Sequence, residues 1–240
     1  MDKELKNELR RDEIGEALQG ARVFLTSSEV MKPALAVIGL FLVLAGLYYG
    51  QKFRVGSAES AFSRATEVFH AEVGPPLPAV EGGAESFKTR ADKFQKAKSM
   101  FDEVAKSYSS MPAGRRARYY SAVCLAELDQ LKEAEAAFRE IASIKDPAAI
   151  EPALAKLRIG EIVLRGGGRD KEAAGYYKAL IADETNGLAR DQLIFGLAKA
   201  LEAAGEKLEA RRSYNDLVNR HPQSAFAQEA RQKIAALEIL

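Results

Sequence analysis

Three residues recur along the second half of this chain: a small one, an aromatic four positions on, and an aliphatic three after that. The set reads Ala134, Phe138 and Ile141, then Ala173, Tyr177 and Leu180, then Ala210, Tyr214 and Leu217. A looser copy upstream reads Ala97, Phe101 and Val104. The small residues stand 37, 39 and 37 positions apart. In a helix, positions i, i+4 and i+7 share one face. A small residue there lets a neighbouring helix approach closely, and the two larger ones fill the space beyond it. A spacing of this size predicts a stacked array of helical hairpins, an architecture whose extended surfaces bind other molecules.

The last copy supplies the whole hairpin. Ile194, Leu197, Ala198 and Leu201 form the apolar stripe of a first helix, Gly205 turns the chain, Lys207 restarts it, and Pro222 ends the second helix. Elsewhere Asp146-Pro147 stands near the terminating position. Gly166-Gly167-Gly168 widens one turn, which leaves the first helix of that copy in either of two registers one residue apart. Ser57 to His70 reads as the first helix of the loosest copy, and Ser224 to Leu237 as a closing helix that covers the last hairpin. Ala-, Glu-, Lys- and Leu-rich stretches dominate after residue 84, and β-branched runs bounded by turns are missing, so almost no strand is expected. The pattern resembles the tetratricopeptide repeat: apolar at four, seven and eleven, small at eight and twenty, aromatic at twenty-four, proline at thirty-two. The fold class expected is therefore all-α, a tetratricopeptide-repeat solenoid over residues 51–240, of about four hairpins and a cap at 224–237.

Pro33 to Gly50 is a second strong signal, with 18 residues and no charge. As a helix it spans about 27 Å, close to the hydrocarbon thickness of a bilayer. Nine of its residues are Leu, Ile, Val or Phe, which on an insertion scale favours the membrane by about 3–5 kcal/mol before its glycines subtract some. Tyr48 and Tyr49 stand where an interfacial aromatic pair belongs. Gly56-Ser57-Ala58 could serve a signal peptidase, but Gln51-Lys52-Phe53-Arg54 intervenes and the leader before the run is long, so 33–50 is read as an uncleaved transmembrane helix. Charge does not orient it. Arg22 and Lys32 lie on one side, Lys52, Arg54 and Arg64 on the other. Residues 1–32 form a tail with six basic and seven acidic residues; Leu5, Leu9, Ile14, Leu18, Ala21 and Leu25 follow a helical period. An amphipathic helix at a membrane surface and a solvated leader both fit it. Gly74 to Gly83, rich in Pro and Gly, reads as an exposed loop.

Catalytic chemistry finds little support. His70 and His221 have no second ligand at metal spacing, so no metal is expected. Cys124, the sole cysteine, sits between Val123 and Leu125 and reads as a small buried hydrophobe; it also excludes an internal disulfide and lipid attachment elsewhere. No strand leads into the glycine triplet and no Gly-Lys-Ser/Thr follows it, so a phosphate loop is not expected. Residues 51–240 carry 29 basic and 27 acidic residues, a balance unlike that of a nucleic-acid binder. Arg115, Arg116 and Arg118 beside Tyr119 and Tyr120 read as a positive helix face. The chain is expected to be no enzyme and to need no cofactor.

A charged tail of about thirty residues, one span, and hairpins to the end resemble the YfgM-like ancillary subunits of the Sec translocon, a bacterial inner-membrane family. The segment Asn219 to Ala230 is also similar to the last repeat of the Tol–Pal-associated cell-division coordinator. The resemblance implies a cytoplasmic N-terminus, a periplasmic repeat domain, and partners among translocon subunits, exported proteins or envelope proteins. Scaffolds that oligomerise without clients, or that face the cytoplasm as adaptors, are alternatives. In tetratricopeptide repeats the ligand groove is lined by first helices at positions two, five, nine, twelve and thirteen. Carried onto this chain, the candidates are Arg116, Tyr119 and Glu127, then Glu161 and Arg165, then Gln192, Phe195, Lys199 and Glu202. Tyr119 and Phe195 either line that groove or pack between repeats. The family's chaperone-tail clamp needs Lys at five and Asn at nine; Tyr119 with Val123, and Phe195 with Lys199, stand there instead.

Overall fold

The computed structural model describes Gly20 and residues 28–74 and 86–238, and among these residues the chain is nine helices, the last eight of them joined by short connections. Most of the 1–32 tail and of the 74–83 loop lies outside the described residues. The helices are α1 (Ser28–His70), α2 (Arg90–Ser107), α3 (Pro112–Glu127), α4 (Leu131–Ala142), α5 (Glu151–Gly166), α6 (Asp170–Ala182), α7 (Arg190–Ala203), α8 (Lys207–Arg220) and α9 (Ala227–Glu238). One isolated bridge, Val73 to Phe87, is the only β pairing among them. The chain divides into two compact units, Met1–Ser57 and Ala58–Leu240.

Within the first unit, the described residues belong almost wholly to α1. The helix is long and apolar enough to cross a membrane. The side chains of its apolar run are exposed, Phe41 by 69% and Leu42 by 64%.

In the second unit each helix from α2 onward packs against its neighbours in sequence. The recurring triplets explain why. Ala97, Ala134, Ala173 and Ala210 are buried completely, and so are, or nearly are, all four aromatics and all four aliphatics that follow them. One core runs from Tyr119 to Ala230. A second joins the end of α1 to α2 and α3, where Phe69 meets Phe94 and Tyr120 edge-on and Phe101 stacks on Tyr120 at 5.2 Å. Cys124 is buried in this second core, and desolvation pushes its thiol up to about 12, so it stays protonated and inert.

The turns within hairpins share one device. The residue five before Ala134, Ala173 and Ala210 adopts left-handed backbone: Asp129 at φ 61°, Gly168 at 75° and Gly205 at 78°. The amides of Gln130 and Glu206 then reach back five residues to the carbonyls of Leu125 and Leu201, closing the helix ends. Asp is one of the few non-glycine residues that tolerate this conformation. The wide glycine turn is accommodated without a longer connection, since 167–169 spans three residues, as 128–130 and 204–206 do. The additional residue extends α5 to Gly166.

Between hairpins, side chains take over. Asn186 is buried and donates to the carbonyls of Leu180 and Asp183, while its own oxygen accepts from the Leu188 amide. Arg190 donates to the carbonyls of Leu180 and Ile181, which α6 leaves unpaired at its end. Second helices are tied by charge. Arg169 donates to both Glu135 and Glu172, and Arg139 bridges the same two carboxylates. The Arg169 and Arg139 hydrogen bonds hold the Glu135 carboxyl down to about 2. A depressed carboxyl contributes stability above its unfolded pKa and loses it as pH falls toward the folded value. The guanidinium partners are about half exposed, so solvent screening keeps the contribution small. Glu135→Gln should therefore lower the thermal midpoint by a constant amount above pH ~5, and the gap from the native protein should close between pH ~4.5 and pH ~2. A gap that persists at pH ~2 would remove this pair from the account.

Candidate functional site

The first helices α3, α5 and α7 stand side by side because their small positions let the second helices pack behind them. What they present on the opposite face is then decided by the residues between those positions. Two recesses open there, and they share a wall made by Glu161 and Arg165 of α5.

The recess between α3 and α5 has a volume of about 430 Å³. Its floor includes Val123, Leu131, Phe138 and Ile162, and its rim is ionic. Arg90 pairs with Glu127, Arg158 with Glu161 at 2.8 Å, and Arg165 with Asp129 at 2.8 Å. Each of the three guanidiniums has a carboxylate of its own. Arg158 also donates to the Tyr119 hydroxyl at 3.3 Å. Burial raises the Tyr119 pKa despite that donor, so the phenol stays neutral.

The recess between α5 and α7 has a volume of about 480 Å³ and is more apolar. Leu157, Leu164, Tyr177, Phe195 and Phe226 line it. Phe195 and Phe226 stack at 4.8 Å with their planes 15° apart. Gly196 is needed here: a Cβ on it would lie 2.2 Å from the Tyr177 ring, so only glycine lets that ring reach the floor. Lys199 lies over the Phe195 face at 5.6 Å, and Gln192 completes the rim.

Of the nine groove candidates, Glu127, Glu161, Arg165, Gln192, Phe195 and Lys199 line these two recesses. Tyr119 and Phe195 are each only 7% exposed. Tyr119 packs on Phe138, and Phe195 against Tyr214, so both serve the packing between helices. Arg116 lines neither recess. It pairs with Glu59 at 2.6 Å and covers the Phe62 ring at 4.5 Å, bracing α3 against α1. Glu202 is likewise occupied, accepting from the Tyr214 hydroxyl and from Lys233 of the closing helix. Sequence reasoning missed Arg90, Arg158, Asp129 and Phe226. Arg158 was within reach, since counting back from Ala173 at position twenty, the other of the two registers puts it at groove position five. Arg90 and Phe226 come from outside the first helices and carry no such signal.

Among the described residues no three His, Cys, Asp or Glu stand together to hold a metal ion.

Residues 89–150 and 192–224 match the tetratricopeptide repeat as a family, and the chain thus carries tetratricopeptide repeats. No curated protein matches it. Two crystal structures of a candidate Podosopora anserina kinesin light chain, described as having nearly identical TPR-like repeats, are similar in fold. They superpose with TM-scores of 0.55 and 0.54 at 13% identity, over 75% of this chain and 84% of theirs. At that identity the likeness concerns the fold alone.

Proposed function

We propose that this protein is a single-pass membrane scaffold whose tetratricopeptide repeats hold segments of other proteins in the cell envelope, at protein export or envelope assembly. The observation that carries this is the pair of joined recesses along the first helices. An array of this kind presents a continuous surface to an extended or helical segment. The exposed apolar side chains of α1 are suited to lipid and unsuited to water. Resemblance to translocon accessory subunits motivates the finer reading: inner membrane, N-terminus in the cytoplasm, repeat domain in the periplasm, and clients among translocon subunits or newly exported proteins. The role is one of binding, which the paired charges and apolar walls of the recesses suit.

The test combines topology with capture. Protease added to spheroplasts should digest residues 58–240 and spare an N-terminal tag. A photo-crosslinking residue at Gln192 should then trap translocon, exported or envelope proteins. Replacing Arg165, Gln192 and Lys199 together with alanine should reduce those crosslinks severalfold without changing the helical signal, because none of the three is part of the core. Crosslinks to this chain alone would indicate a self-assembling scaffold, and a domain resistant until the membrane is lysed would reverse the topology.

A further inference from the structure

The two recesses differ in how their charges are answered. Around the α3–α5 recess all three arginines have carboxylate partners. The α5–α7 recess keeps the edge of that neutralised wall and adds Lys199. Among the described residues Lys199 has no carboxylate within salt-bridge distance; its ammonium lies over the Phe195 ring instead. The nearby Glu202 is held by Lys233 and Tyr214, and Glu161 by Arg158. The recess thus combines an unanswered positive charge, an apolar floor of Leu157, Leu164 and Tyr177, and a stacked Phe195–Phe226 wall.

We propose that the α5–α7 recess takes a large apolar side chain from an acidic segment of another protein, the side chain resting against Phe195 and Phe226 while a flanking carboxylate pairs with Lys199. The inference rests on the scaffold reading above and names the chemistry of its client. A carboxylate arriving there gains a charge-assisted hydrogen bond beside apolar surface. A basic segment meets the unanswered Lys199 and finds no free carboxylate on the lining, a repulsive element that sets preference. The floor keeps its shape because residue 196 carries no side chain: a Cβ there would lie 2.2 Å from the Tyr177 ring.

Full-length protein in lipid nanodiscs can be titrated, by fluorescence anisotropy, with a labelled ten-residue Gly/Ser peptide bearing one Phe between two Glu. Replacing its Glu by Lys, or its Phe by Ala, should weaken binding about tenfold or more. Lys199→Glu should reverse the charge preference while leaving the helical signal unchanged. Phe226→Ala should weaken both acidic and basic peptides and keep their order. Arg212→Ala, on an exposed site that does not line this recess, should change nothing. Equal binding of acidic and basic peptides, or an acidic preference that survives Lys199→Glu, would overturn the proposal. If Gln192 still crosslinks to other proteins in that case, the scaffold reading stands and only its client chemistry falls. If Gln192 crosslinks solely to a second copy, both fall.

Discussion

Tyr214→Ala is expected to cost about 3–5 kcal/mol, the range for deleting a large buried aromatic. Tyr214 is fully buried, and its ring meets Phe195 at 5.9 Å. Its hydroxyl donates to Glu202 at 2.8 Å, and Glu202 also accepts from Lys233 of α9 at 2.9 Å. One side chain therefore joins α7, α8 and the closing helix. Burial raises its pKa, and the Glu202 carboxylate raises it further, so the phenol remains a donor throughout the neutral range. In a linear array each hairpin leans chiefly on its neighbours, so the loss should open α7 to α9 first. Hydrogen exchange should speed there well before it does in α2 and α3. Leu208→Ala, at a position 54% exposed on the same helix, should change stability by no more than about 0.5 kcal/mol. Uniform exchange across all hairpins would mean the domain unfolds as one unit.

Two glycine-to-alanine substitutions should move stability in opposite directions. Gly114 lies in the first turn of α3, and a Cβ there would sit 2.0 Å from the Tyr108 carbonyl oxygen and 2.5 Å from its carbon. Both obstacles are backbone, so no rotamer relieves them; the α2–α3 turn must shift. Overpacking of this kind costs about 1–3 kcal/mol, and a backbone clash belongs at the upper end or beyond. Gly175, inside α6, has nothing within 4 Å of the same point and is exposed. Alanine there should stabilise by about 0.5–1 kcal/mol through helix propensity alone. Thermal midpoints of the two variants, compared with the native protein, give the signs directly, and a tolerated Gly114→Ala would show that this turn is softer than its geometry states.

Neither sign can be read from the chain, where both glycines sit among helix-forming neighbours. The repeated triplets are another matter. Their period and bulk suffice to define a buried face, because helix geometry converts spacing into direction without reference to anything distant. Ala134, Phe138 and Ile141 are buried for the same reason as Ala210, Tyr214 and Leu217. The apolar run of α1 was equally legible, since composition and length decide whether a helix suits lipid. The polar face of the groove was legible only in part. Glu127, Glu161, Arg165, Gln192 and Lys199 line the recesses, while Arg116 and Glu202 do not. Which of their charges stays unanswered depends on partners drawn from far along the chain: Arg90 reaches Glu127 across 37 positions, Arg165 reaches Asp129 across 36, and Arg116 is drawn off to Glu59 across 57. Sequence alone determined the helices and their buried faces, because those follow from local periodicity. Tertiary structure alone decided where positive charge remains free and where glycine is indispensable, because both depend on atoms that only folding brings within a few ångströms.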